Sequence, residues 1–246
     1  MFKRIIASLL LDKKKLVKGK NFKDHKVVGY PKTFCKSLGF QNIDEIFICD
    51  LNSYRDQKTD PDFQTLNEIS SSTMTPLTFG GGLNTLEKIK KCFKYGADKI
   101  YLSTILYKNL DLANQAAFIF GSQSVVAGIN VIKENKKLKI YENRNIDFYK
   151  WVAELSNAGI GEIKVNFVNQ EGSSEGFDLL ECKKIISTTK LPLIFEGGLG
   201  SLKHIADAFR IGINSVSVGK MISFEDNNIF KIKQFLKNQG FKVRLS

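Results

Sequence analysis

Two glycine-rich stretches, FGGGL at Phe79–Leu83 and FEGGLG at Phe195–Gly200, each lie between a short apolar run and a segment of helical period. Backbone N–H groups with no side chain in the way, followed at once by a helix N-terminus, are suited to cradling a phosphate. A glycine pair can equally do no more than make a tight turn. Two copies in one chain favour the ligand reading, and with it a ligand carrying a phosphate at each end. Aligned without gaps, the passages match at a constant offset of 116, with Phe79 on Phe195, Gly81 on Gly197, Gly82 on Gly198, Leu86 on Leu202, Phe93 on Phe209 and Gly96 on Gly212. Ser103 and Thr104, and later Gly219 and Lys220, close the next β-like run after each loop, where further phosphate donors would be wanted.

A second set of residues is ionic. Arg4, Glu45, Lys99 and Glu162 stand at the starts of β-like runs. Two cations and two anions at matching positions would form a neutral ring in which buried charges satisfy one another. The plainer alternative is four surface ion pairs of little consequence.

These residues need elements to position them. Eight β-like runs occur: RIIASLLL, EIFICDL, PLTFGG, KIYLST, SVVAGINVI, EIKVNFV, PLIFEGG and SVSVGKM. Between and after them, helical periodicity is expected near 31–40, 59–71, 84–95, 109–120, 145–158, 176–188, 201–211 and 227–239. Regular alternation of this kind predicts βα units and a parallel sheet. Ile43-Asp44-Glu45-Ile46 before the second run resembles Ile160-Gly161-Glu162-Ile163 before the sixth, so four units are followed by four similar ones. A half-length repeat fits a single (β/α)8 barrel over 1–246, a TIM barrel of two half-barrels, better than an open doubly wound sheet. In such a barrel the glycine loops fall at the ligand-binding C-terminal mouth and the ionic residues at the opposite floor.

With 43% hydrophobic and 11% aromatic residues, a chain of 246 residues can bury a large core. The cysteines Cys35, Cys49, Cys92 and Cys182 show no CxxC spacing, and His25 and His204 are far apart, so neither a zinc site nor a disulfide framework is expected, and no cofactor is called for. A formal charge of +12 invites a nucleic-acid reading, but the lysines are scattered as short groups such as Lys13–Lys15, Lys90–Lys91 and Lys183–Lys184. The basic surface suits phosphorylated small molecules or an acidic partner protein, not a nucleic acid. No apolar run approaches the length of about 18 residues that a membrane span needs, and MFKRIIASLLLDKKK has no small-residue cleavage site, which together predict a cytoplasmic protein.

KRIIASLLL, LVKG, FGGG, GADK, FGSQSVV, AGIGEI, EGFD, EGG and the closing VRL come in an order and at a spacing that resemble the HisF family, the cyclase subunit of imidazole glycerol phosphate synthase, over nearly the whole chain. The resemblance implies a barrel that binds a bis-phosphorylated nucleotide intermediate and reacts it with ammonia, delivered through the barrel from a glutaminase subunit. It implies phosphate contacts at the two glycine loops and at Gly172, and an ammonia gate at Arg4, Glu45, Lys99 and Glu162. It also implies glutaminase docking on the Asp98 face, and a mobile loop over the active site that carries Lys18. The family's two catalytic aspartates, however, fall on Leu10 and Asn130, and Glu171 stands where Asp is usual.

Neither Leu nor Asn exchanges a proton near neutral pH, and such groups contribute about 10²–10⁴-fold each. Asp12, two residues on, shares Leu10's strand face but lies roughly 6–7 Å farther along. Asp50 matches the family, although a lone carboxylate there could equally be a structural acceptor. The resemblance therefore implies a diverged subunit that conducts ammonia to another acceptor. Similar members are associated with amidation of surface-polysaccharide sugars, in which a third enzyme activates the sugar. The alternatives are a true histidine-pathway cyclase, a non-catalytic scaffold that binds a phosphorylated ligand and, most remotely, a lyase using Lys220 as a Schiff-base amine.

Overall fold

Along β1 (Arg4–Asp12), Ile5, Ala7, Leu9 and Leu11 pack against surrounding helices, while Ile6, Ser8 and Leu10 face the opposite way, into the barrel. Successive side chains of a strand point to opposite faces, and a strand covered on both sides must be apolar on both. The computed structural model describes residues 2–20, 22–56, 58–135, 137–223 and 228–245.

After β1 come an antiparallel hairpin, β2 (Lys15–Lys20) and β3 (Lys23–Gly29), then α1 (Pro31–Phe40), β4 (Glu45–Asp50), α2 (Leu51–Arg55), α3 (Phe63–Ser70) and β5 (Leu77–Gly80). The chain continues through α4 (Leu86–Lys94), β6 (Lys99–Leu102), α5 (Asp111–Phe120), β7 (Val125–Glu134), β8 (Lys137–Ile140) and α6 (Phe148–Ser156). It ends with β9 (Glu162–Phe167), α7 (Leu179–Ile186), β10 (Leu193–Glu196), α8 (Leu202–Arg210), β11 (Ser215–Val218), α9 (Lys220–Ser223) and α10 (Ile229–Asn238).

The eight strands β1, β4, β5, β6, β7, β9, β10 and β11 pair in parallel, each with the next. Pairing of β11 with β1, from Arg4↔Ser215 to Ala7↔Val218, closes the ring. These are the eight runs expected from sequence, so the (β/α)8 barrel is the fold. The expected helices are present too, although residue 227 of the last lies outside the described residues. Among the described residues, the strands β2, β3 and β8 and the helices α2 and α9 went unanticipated.

The internal repeat survives in three dimensions. Helices α4 and α8 have the same length at the same offset, and each is N-capped by a hydroxyl: Thr85 accepts the Lys88 N–H and Ser201 the His204 N–H, both at 3.2 Å. Side-chain oxygens at this position satisfy N–H groups that have no partner within the helix.

One buried ion pair staples the last helix to the floor. Lys233 on α10 is 1% exposed, and its ammonium donates to the Asn42 carbonyl and, at 2.7 Å, to Asp44 Oδ1. Asp44 Oδ2 in turn accepts the Ile5 N–H at 2.7 Å. Removing one partner of a buried pair strands the other, at a cost of about 3–5 kcal/mol. Lys233→Met should therefore lower stability by about that much in urea denaturation, and Lys233→Met with Asp44→Asn should cost less than the sum of the single changes.

Candidate functional site at the barrel mouth

A cavity of about 200 Å³ opens at the C-terminal ends of the strands. Leu10 from β1, Asn130 from β7, Gly81 and Gly82 from the β5–α4 turn, and Ser103 and Thr104 after β6 all line it. The structure thus brings the first expected phosphate set together with Leu10 and Asn130, the positions at which the resemblance implies aspartate. Leu51, Tyr54, Leu83 and Ile105 make much of the wall apolar, and the β2–β3 hairpin contributes Lys18, Gly19, Phe22 and His25.

The second expected set is arranged differently. Gly172, Gly197, Gly198, Gly219 and Lys220 do not line this cavity. The β9–α7 segment folds over the β10–α8 turn, with the Gly176 N–H donating to the Gly198 carbonyl at 2.7 Å, while Lys220 Nζ donates to the Gly172 carbonyl at 3.1 Å. The ammonium of Lys18 occupies the space into which a side chain on Gly219 would grow. Gly81 (φ 98°) and Gly197 (φ 101°) are left-handed, and a Cβ there would strike the carbonyls of Asp50 and Phe167 respectively. The turns therefore require glycine for packing, whatever they bind.

The candidate carboxylates sort by geometry. Asp50, 1% exposed, is a structural acceptor: Oδ1 takes the Asn52 N–H at 2.9 Å and the Ser53 N–H at 3.4 Å, capping α2, and Oδ2 takes the Asp62 N–H at 2.9 Å. Asp12 pairs with Arg55 at 3.0 Å and does not line the cavity. Asn130 has acquired a neighbour that sequence reasoning missed. Its amide donates to Glu142, from the segment after β8, and its carbonyl oxygen accepts from Asn166 at 3.2 Å. Burial raises the Glu142 carboxyl above the ordinary range. The Cys49 thiol, on the same cavity wall, is pushed up to about 12 by burial and is no nucleophile at neutral pH.

Lys18, expected on a mobile loop, instead lies in strand β2, 4% exposed, ion-paired with Glu171 and 4.0 Å from Glu196. The reason is local: Lys13 (φ 49°) and Lys14 (φ 62°) turn the chain tightly after β1, so the segment pairs back as Leu10↔Val17 to Asp12↔Lys15. Deeper still, Lys164 from β9 and Glu196 from β10 form an ion pair, 3% and 5% exposed. The Lys164 ammonium lies 3.7 Å from the centroid of the Phe47 ring. Burial works against ionisation of Glu196, but Lys164 and Lys18 outweigh it and hold the carboxyl below its ordinary value. Both residues could have been found in the sequence as charges at inward positions of β-branched runs, EIKVNF and LIFE.

At the floor, Arg4, Glu45, Lys99 and Glu162 close a ring. Arg4 bonds Glu162 and, at 3.3 Å, Glu45; Lys99 reaches Glu45 at 2.9 Å and Glu162 at 3.1 Å. Both carboxylates are buried, and the Thr78 hydroxyl and Ser215 Oγ add hydrogen bonds to Glu45 and Arg4. Asp98 is exposed on this face, where its carboxylate accepts the Leu77 N–H at 2.8 Å.

Fold and site together define a parallel (β/α)8 barrel with a ligand-sized cavity at the strand ends and an ionic seal at the opposite end. Residues 4–228 match the sequence model of the family described as "Histidine biosynthesis protein". The chain is 35% identical over 252 residues to the imidazole glycerol phosphate synthase subunit HisF of Dictyoglomus thermophilum, covering 99% of this chain and 98% of the relative. It is 34% identical to that of Dictyoglomus turgidum, at the same coverage. Against the subunit designated hisF2 of Campylobacter jejuni the identity is 31% over 245 residues, with 98% of each chain covered. The chain belongs to the HisF family. Among the described residues no helix is long and apolar enough to cross a membrane.

The interior pair sets a pH dependence. Glu196's carboxyl is held below 4.5, so its contribution to stability is complete above that pH and is lost as pH falls through the lowered value. Glu196→Gln should cost about 3–5 kcal/mol at pH 7 by leaving Lys164 uncompensated. The difference from wild type should shrink in acid. Equal stability of the two proteins at pH 7, measured by urea denaturation, would contradict the pairing.

Proposed function

We propose that this chain is the ammonia-accepting subunit of a glutamine-dependent synthase, and that its acceptor differs from the bis-phosphorylated intermediate of the HisF cyclases. The observation that carries the reading is the pair Leu10 and Asn130. Both line the mouth cavity, and neither can move a proton near neutral pH. The ionic ring at the floor supports a retained entrance for ammonia. A partner glutaminase would dock on this face, where Phe2, Phe40, Met74 and Phe118 expose large apolar side chains at the helix-to-strand end of the barrel. The first phosphate set on the cavity wall suits a phosphorylated acceptor. Resemblance to members associated with surface polysaccharides supports a sugar precursor, activated by a third enzyme, as the acceptor class.

One observation favours the second reading, a working histidine-pathway cyclase. Glu142 delivers a carboxylate to Asn130, and its raised pKa suits general acid–base work. Steady-state assay with ammonium and the bis-phosphorylated substrate separates the two. On the first reading the wild-type protein is at least 10²-fold slower than an ordinary enzyme turning over at about 10 s⁻¹. Leu10→Asp with Asn130→Asp then recovers activity. On the second reading the wild type is active and Glu142→Gln abolishes it.

Co-purification of this chain with a glutaminase from its own cells tests the partner. Lys99→Ala leaves Glu45 and Glu162 sharing Arg4 alone, and should reduce transfer of glutamine-derived ammonia while free ammonium still serves. Absence of association at micromolar concentrations would remove the channel reading.

A further inference from the structure

The second glycine turn spends its hydrogen bonds on the protein itself. Gly81 and Gly82 are half-buried beside the cavity, whereas Gly197 and Gly198 are buried. The N-terminus of α8, which follows the second turn, is closed by its own residues: the Gly200 N–H donates to His204 Nδ1 at 3.4 Å, and the His204 N–H to Ser201 Oγ at 3.2 Å. At the matching place in α4 stands Lys88, whose ammonium offers no such acceptor. Lys220, the cation expected to meet a phosphate there, donates instead to the Gly172 carbonyl at 3.1 Å.

The space beside Gly219 is filled by charge. Lys18 Nζ lies against this glycine, paired with Glu171 and 4.0 Å from Glu196. Both Lys18 and Glu171 are buried, and because Lys164 pairs with Glu196, the two cations and two carboxylates leave the group neutral. A phosphate monoester carries a charge of about −1.5 to −2 near pH 7. Placed here, it would bring like charge against the Glu171 carboxylate in a buried space with no cation left to answer it. The protein's own carboxylate holds the anion's position.

The opposite wall differs. Gly81, Gly82, Ser103 and Thr104 border the open cavity at the start of α4. Asn166 lines the same cavity, and its amide donates to Asn130 Oδ1 at 3.2 Å. Its own Oδ1 has no hydrogen-bond partner among the described residues, although Asn166 is only 7% exposed. A buried acceptor left unpaired is costly, which suits an atom that a ligand's N–H or O–H satisfies.

We infer that the mouth cavity takes a ligand with a phosphate at one end only, and that Glu171, through Lys18, is the residue that excludes a second phosphate. The ligand's other end is uncharged and presents a hydroxyl or amide donor to Asn166. This deepens the reading above, in which the acceptor differs from the bis-phosphorylated intermediate, by giving the acceptor's charge and polarity.

The probes are ribulose, ribulose 5-phosphate and ribulose 1,5-bisphosphate, which share one carbon chain, titrated into the full-length protein by calorimetry. Ribulose 5-phosphate should bind at one site per chain, at least about tenfold tighter than ribulose, and the bisphosphate within about threefold of the monophosphate. Glu171→Gln keeps the side chain's shape, removes its charge and frees Lys18 for an anion. It should tighten the bisphosphate by about tenfold or more and leave the monophosphate within about threefold. Asn166→Leu should weaken the monophosphate by about fivefold, the worth of one hydrogen bond. A wild-type protein that binds the bisphosphate at least about tenfold tighter than the monophosphate, or that binds neither ester better than ribulose, overturns the inference. So does an unchanged ratio of the two esters in Glu171→Gln, and should that variant fold poorly, the wild-type ratio alone decides. Binding is read without ammonia or glutaminase, so tight bisphosphate binding by a protein without cyclase activity sinks this inference and leaves the reading above standing.

Discussion

A closed barrel has a narrow, dry interior, so any charge placed inside must be compensated by another charge placed inside. The whole axis of this molecule obeys that constraint. Arg4 and Lys99 answer Glu45 and Glu162 at the floor, Lys164 answers Glu196 in the middle, and Lys18 answers Glu171 at the mouth. Each member is held by partners from different elements of the chain, which makes the network a device of tertiary closure. It also ties the roof to the interior: Lys18 comes from the β2–β3 hairpin, Glu171 from the segment after β9 and Glu196 from β10. A change at any one of these leaves uncompensated charge in a low-dielectric space, where it is far more costly than at the surface.

The two half-barrels show how a repeat diverges. Glycines with positive φ and hydroxyl-capped helices α4 and α8 are preserved in both. The surroundings are not. The first glycine turn borders the open cavity, whereas the second is covered by the β9–α7 segment through the Gly176–Gly198 hydrogen bond and flanked by the Lys18–Glu171 pair. A ligand entering the mouth therefore meets backbone and hydroxyl donors on one side and paired charges on the other.

All eight barrel strands were legible because each is a short β-branched run between helical segments, a pattern that survives whatever the strand packs on. The floor ring was legible because its members open those strands at matching positions. Other features were not. The β2–β3 hairpin has little apolar alternation, and only its pairing with β1 makes it a strand pair. Asp50 could be read as catalytic or structural until α2 formed beside it and took its oxygens. Glu142 lies 12 residues from Asn130 with no motif linking them, and only folding of the segment after β8 brings them together.

The sequence by itself determined the barrel, its twofold repeat and the absence of aspartate at positions 10 and 130, because these are properties of residue type and order along the chain. Tertiary structure alone decided which groups share a space. It placed Lys164 against Glu196 and Phe47, drew Lys18 from an expected mobile loop into a buried pair, and left only one of two similar glycine turns open to the cavity. The physical reason is that strand periodicity says which face a side chain takes, while its partner comes from whichever strand closure brings alongside. Charge compensation inside the barrel is therefore settled between residues that the chain itself keeps far apart.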